Sequence, residues 1–178
     1  MLRPAQTDYN PYYKGYIELV TGDNIVQFLE DQKNNTEKLL RSISEKDSLY
    51  SYDTGKWTIK QVVGHVIDVE KIMAYRALCI ARKEKQPLPG FEQEDYAVTA
   101  NFNSRKYSEL VNELKLVREA NLPMIRSFDE EMISQAGTVD NKRVTVLALL
   151  FIIAGHQEHH LKIIRERYLN NIITMSTK

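Results

Sequence analysis

The chain has 178 residues, 43% of them hydrophobic and 27% charged, with 24 basic and 24 acidic side chains and a formal net charge of zero. That length suits one domain with a sizeable core, and that composition excludes a disordered chain. The charge balance argues against a general nucleic-acid or anionic-membrane binder, whose surfaces are usually basic. The single cysteine, Cys79, permits no intrachain disulfide and reads as a buried thiol. The N-terminus holds prolines and tyrosines but no apolar stretch, so it does not read as a signal peptide. The longest apolar block, 144–154, falls far short of the ~20 residues a bilayer needs. A cytoplasmic location is expected.

In chain order, residues 1–20 read as an irregular arm, with Pro4, Pro11, Gly15 and a run of tyrosines. Thr21-Gly22-Asp23 offers a helix cap, and Ile25, Phe28, Leu29, Leu39, Leu40 and Ile43 keep helical phase to about Ser44. After a loop over 50–56, Thr58 and Gln61 fit a capping box, with Trp57 placed to staple the helix entry. That second helix runs through Val62, Val66, Val69, Ile72, Met73, Ala77 and Ile80 to about Lys85, where Pro87-Leu88-Pro89-Gly90 stops it. Residues 91–103 read as a long connection of the kind that covers a site. Ser104 is expected to cap a third helix carrying Leu110, Leu114, Val117 and Leu122, which Pro123 should kink or end. A polar stretch, 129–143, precedes a fourth helix from about Val144 to Leu169. The expected fold is all-α, a four-helix bundle over 21–170, with a short tail at 171–178.

Three of the four histidines fall in Gly155-His156-Gln157-Glu158-His159-His160. Helical residues four apart share a face, with Cβ atoms about 5–6 Å apart. His156 and His160 lie on the stripe of Leu149, Ile152, Ile153 and Ile163, so this pair faces inward and can direct two imidazoles at one cation. His159 sits about 100° around the helix from His160 and belongs at the edge of the face. His65 lies inside the second helix on a stripe with Gln61, Val69, Ile72 and Arg76. An inward histidine is costly unless both ring nitrogens are satisfied, which metal ligation and an outer acceptor would achieve. Three imidazoles with no carboxylate or cysteine nearby leave coordination positions open, the mark of a catalytic site. The competing readings are a satisfied core histidine at 65 and a surface coincidence at 156 and 160. Trp57, Tyr96 and Tyr107 read as packing residues or as walls of a pocket beside the metal. Arg76 and Arg167 also point roughly inward; ion pairing with Glu70, Asp68 or Glu166 competes with binding of an anionic substrate. Glu158 and Glu70 are available by position as a general base, and neither is clearly aimed at the metal.

These segments resemble the DinB/YfiT-like superfamily of small metal-binding four-helix bundles. The matching pieces are Lys56-Trp57-Thr58-Ile59-Lys60-Gln61-Val62-Val63-Gly64-His65-Val66-Ile67-Asp68, Ala74-Tyr75-Arg76-Ala77-Leu78, Pro87-Leu88-Pro89-Gly90-Phe91 and Ala154-Gly155-His156-Gln157-Glu158-His159-His160, with Arg165-Glu166-Arg167-Tyr168 following. The resemblance implies an up-down-down-up bundle, often dimeric, with His65, His156 and His160 binding nickel or zinc. It also implies two activities on a small molecule: transfer of a low-molecular-weight thiol to an electrophile, or metal-dependent hydrolysis. A non-catalytic, stress-related module that binds a metal or small ligand is the alternative, and a scaffold with no metal is the third reading. No nucleic-acid or membrane partner is expected.

Overall fold

In the computed structural model, which describes residues 3–172, the N-terminal arm is more regular than its prolines suggest. Single 3-10 turns at Gln6–Asp8 and Pro11–Tyr13 lead into a short helix, α1 (Lys14–Leu19). Asn10 Oδ1 accepts from the Tyr12 amide at 3.0 Å, and Pro11 occupies the first position, where a missing N–H costs nothing. The helices α2 (Ile25–Arg41) and α3 (Ile59–Ala81) follow. Asn24 caps α2, displacing the expected cap at 21–23, and both arms of the capping box at Thr58 and Gln61 are formed. The stretch read as a connection contains α4 (Gln93–Thr99) and a 3-10 turn at Phe102–Ser104.

Next comes α5 (Tyr107–Arg126), which begins three residues after the expected cap and runs through Pro123 to Arg126. The polar stretch resolves into α6 (Glu130–Ser134) and a hairpin of β1 (Ala136–Val139) and β2 (Lys142–Thr145). Asp140 and Asn141 carry φ of 48° and 58°, the left-handed pair that a two-residue hairpin turn requires. Finally α7 (Val146–Ile163) passes into a π-helical segment, Ile164–Leu169. Of the tail expected at 171–178, residues 173–178 lie outside the described residues.

Cross-helix contacts define the bundle. Tyr107 at the start of α5 donates to Leu40 O at the end of α2 (3.1 Å), and Arg126 at the end of α5 reaches Glu30, so α2 and α5 are antiparallel. Lys60 donates to Arg105 O at 2.7 Å and Lys71 to Glu113 at 2.6 Å, which makes α3 and α5 parallel. Trp57 O accepts from Tyr168 at 2.7 Å while His65 meets His156, so α3 and α7 run opposite ways. Gln32 meets Ala154 and Leu40 packs with Leu161 and Ile164, so α2 and α7 are parallel. The order up, down, down, up follows.

Two apolar clusters fill the bundle. One gathers Met73, Ala77, Leu122, Leu149 and Ile153, the other Val62, Val66, Leu110, Leu114 and Tyr168. Between them lies a buried polar layer centred on Arg118, which is 2% exposed. Its guanidinium donates to both carboxylate oxygens of Glu70 (2.7 and 3.0 Å), to Gln157 Oε1 (2.7 Å), to Gln32 Oε1 (3.0 Å) and to Leu29 O (3.0 Å). Gln157 Nε2 in turn donates to Thr36 Oγ1 at 2.6 Å. Every long helix contributes to this layer, and among the described residues no buried side-chain polar atom lacks a partner. Removing one ion from such a pair strands the other in an apolar medium. Arg118→Met should therefore cost about 3–5 kcal/mol in urea unfolding. The double variant Glu70→Leu/Arg118→Met should recover much of that loss.

The arm is tied down at one glycine. A Cβ at Gly155 would lie 1.9 Å from the Tyr16 carbonyl oxygen, so only glycine lets α1 lie against α7 at this point. Gly155→Ala should destabilise the fold by about 1–3 kcal/mol and raise amide exchange first in 14–19, as hydrogen-exchange mass spectrometry would read.

Candidate metal centre

The capping box at Thr58 fixes where α3 starts and so the phase at which His65 enters the interior. On α7, the i,i+4 spacing turns His156 and His160 to the same side, and the antiparallel packing of α3 on α7 brings His65 to meet them. His65 Nε2 lies 3.0 Å from His156 Nε2, and His160 Nε2 lies 3.1 Å from the same atom. All three ligand atoms fall within 4.8 Å of one another.

Hydrogen bonding alone cannot account for this arrangement. A ring nitrogen carries either one proton or one in-plane lone pair, so His156 Nε2 can serve one of its two close neighbours but not both. A cation can serve all three. In a tetrahedral site with Zn–N of ~2.0–2.1 Å, two nitrogen ligands stand about 3.3 Å apart, close to the spacing found here. The three imidazoles therefore could hold a divalent cation.

Burial keeps them in the ligating, neutral form. It pushes the His65 pKa down to about 4 and that of His160 to about 3, the latter with help from His65 and His159. His156, the most deeply buried, lies well below the usual imidazole range through burial first and the charges of His160 and His65 second. Trp57 stands beside His65, ring centroids 4.8 Å apart, and is held there by Tyr168, whose hydroxyl donates to the Trp57 carbonyl.

The other candidates separate. His159 is half-buried at the edge, its ring 5.2 Å from Tyr16 and 5.1 Å from His160. Tyr107 is remote from the histidines, at the start of α5 with its hydroxyl on Leu40 O, because the fold carries that end of α5 to the far end of α2. Tyr96 is 48% exposed and packs on Phe91. Arg76 is buried without the carboxylate partner expected of it, donating instead to Pro89 O at 2.7 Å. Arg167 is exposed, on the outer side of the π-helical segment. Cys79 is only partly buried. Neither glutamate considered as a base faces the histidines with a free carboxylate: Glu70 is bound by Arg118, and Glu158 Oε1 accepts from Gln32 at 2.9 Å.

Tyr16 is the site residue that sequence reasoning missed. Its ring stands 5.4 Å from that of His156, and the two line a cavity of about 480 Å³. Burial first, then a hydrogen bond with Tyr12, raises its pKa, so the phenol stays protonated. The signal in the sequence was Gly155, the gap in α7 that admits the Tyr16 backbone.

Comparison with known proteins places this architecture among others. The family model of the DinB superfamily matches residues 28–164. A protein of Oceanobacillus iheyensis named "putative metal-dependent hydrolase" is 28% identical over 163 residues, which is 86% of this chain and 91% of that protein. A protein of Bacillus cereus strain AH820 with the same functional name is 24% identical over 150 residues, 78% of this chain and 80% of that one. Among solved structures, YfiT from Bacillus subtilis, described as "a probable metal-dependent hydrolase with an unusual four-helix bundle topology", superposes with a TM-score of 0.71. That match covers 93% of this chain and 90% of YfiT at 17% identity, and shows likeness of fold. No helix among the described residues is long and apolar enough to cross a membrane.

The buried imidazoles make the metal-free protein acid-sensitive in a defined window. Unfolded, each titrates near ~6.5; folded, they resist protonation until far lower pH, so the unfolded chain binds more protons between these limits. Their contribution to stability is whole above about pH 6.5 and is lost as pH falls below it. The urea midpoint of chelator-treated protein should drop between pH 7 and pH 5, and a flat midpoint there would contradict the burial.

Proposed function

The chain belongs to the DinB superfamily, and on that premise we propose that it is a metal-dependent hydrolase of small molecules, with His65, His156 and His160 as the ligands of a zinc or nickel ion. The observation that carries this reading is the meeting of three neutral Nε2 atoms beside a cavity of about 480 Å³ that His156 itself lines. Bound there, a divalent cation would supply Lewis acidity and make a nucleophile of water or a thiol near neutral pH. The chain's own part is to bind, to orient and to exclude water. Trp57 packs on His65 at one side of the histidine set and Tyr16 on His156 at the other, and Tyr16 offers a protonated hydroxyl to an oxygen of the ligand.

A second reading, thiol transfer to an electrophile, is favoured by one observation. Both nearby glutamates are engaged by Arg118 and Gln32, and a thiol ionised by a cation needs no carboxylate base.

Untagged protein should carry one equivalent of metal by elemental analysis. His65→Ala and His156→Ala should each weaken zinc binding by more than the ~10–100-fold typical of changes outside the ligand set. Ester and amide panels, and thiol–electrophile pairs, assayed with parent and variants would separate the two chemistries; variants that retained metal and turnover would refute the site.

A further inference from the structure

Arg76 is a buried cation that makes no ion pair with a carboxylate among the described residues. It lies eleven residues beyond His65 on α3 and is 4% exposed. Its Nη2 donates to Pro89 O at 2.7 Å, its Nη1 lies 3.4 Å from Met73 Sδ, and its Cζ stands 5.5 Å from the centre of the Phe91 ring. Among the described residues no carboxylate comes within ion-pair distance, and Nε makes none of these bonds. Arg118, equally buried, shows the ordinary solution, a bidentate carboxylate with further acceptors around it. A guanidinium held in an apolar wall without such a partner is costly unless something else supplies the negative charge.

The space in front of Arg76 is a cavity of about 110 Å³. It shares Asn10, Tyr13, Met73, Phe91, Asp140 and Lys142 with the larger cavity that reaches His156, so the two are adjoining parts of one cleft. The other basic residues on the rim are already compensated: Lys142 lies 3.7 Å from Asp140, and Arg143 lies 3.1 Å from Asp8. Among the described residues Arg76 is therefore the basic side chain of the cleft that makes no ion pair, with Asp140 acting on it only from beyond contact. The five N–H donors of a guanidinium form a planar fork that suits an oxyanion, and the ring of Phe91 stands against it.

We propose that the Arg76 end of the cleft is a subsite for an oxyanion of the substrate, carboxylate or phosphate, while the reacting bond lies at the histidines. This rests on the reading of the histidine centre as the reacting end and assigns the class of molecule it acts on: a small anion long enough to span both parts of the cleft. Phe91, from the connection after α3, would cover the apolar middle of such a molecule.

Calorimetric titration of phenylacetate, inorganic phosphate and neutral phenylacetamide into untagged protein, zinc-loaded and zinc-free, tests this with Arg76→Met and Arg76→Lys. At least one oxyanion should bind the parent in both zinc states, and the tighter of the two identifies the group preferred. Arg76→Met should weaken that binding about tenfold or more, with phenylacetamide binding and zinc content unchanged. Arg76→Lys, which keeps the charge and loses the fork, should fall between. A melting temperature of Arg76→Met close to the parent's would match removal of an unpaired buried cation; if that variant fails to fold, Arg76→Lys against the parent decides. Equal binding by variant and parent, no binding of either oxyanion at tens of millimolar, or binding that needs zinc and ignores Arg76 would each overturn the subsite. Loss of zinc from the parent would remove the metal reading alone, because the zinc-free titration stands without it.

Discussion

The guanidinium of Arg118 is the point from which the rest of this bundle is positioned. It is buried at mid-height and bonded to residues of the other three long helices, Glu70 on α3, Gln32 and Leu29 on α2 and Gln157 on α7. An apolar interface tolerates sliding by a turn, since one methyl substitutes for another. A charged group with fixed donors does not, because any shift leaves a buried donor or carboxylate unpaired. The layer therefore acts as a register pin, and it sits one residue from His156 and within the same two turns of α3 as His65.

From that pin the site follows. Antiparallel α3 and α7 can bring one imidazole from the first against two from the second only if their heights match, and the polar layer sets the height. Held at its N-terminal end by the cap at Thr58 and by the Tyr168–Trp57 bond, α3 has little freedom to retract His65. On the other side α1 closes over Gly155 and turns Tyr16 toward the histidines. The hairpin grips the segment after α3 through Leu88, which accepts from the Asp140 amide and donates to Thr138 O, and so holds Pro89 and Phe91 against Arg76. Elements that look peripheral, a short helix and a two-stranded hairpin, thus build the cleft walls that the four long helices leave open.

Much of this was legible one segment at a time. Helix phase alone put His156 and His160 on one face with His65 on another inward stripe, because 3.6-residue periodicity is a local property. Phase could not rank the remaining candidates. Tyr107 keeps the same kind of pattern and ends at the far side of the bundle, while Tyr16, from a stretch with no periodicity, stands beside His156. Arg76 was read as a choice between an ion pair and an anion site, and its surroundings hold no carboxylate in contact. Arg167 lost its inward phase because the last turns of α7 widen to a π-helix, a change of pitch with no marker in the residue types. The hairpin had a local signal after all, in Asp140 and Asn141 after Thr138-Val139, outweighed by the polarity around it.

By itself, then, the sequence determined the four long helices, the cap that begins α3 and the identity of the three converging histidines. These depend on neighbours within a turn or two along the chain. The tertiary structure alone decided that the histidines meet at 3.0–3.1 Å, that Glu70 pairs with Arg118 and not with Arg76, and that Tyr16 stands beside His156. Each of these joins residues tens of positions apart. Their distances are set by how helices of known phase stack and slide, a choice made by the packing of buried charge and volume and not written in any one stretch of chain.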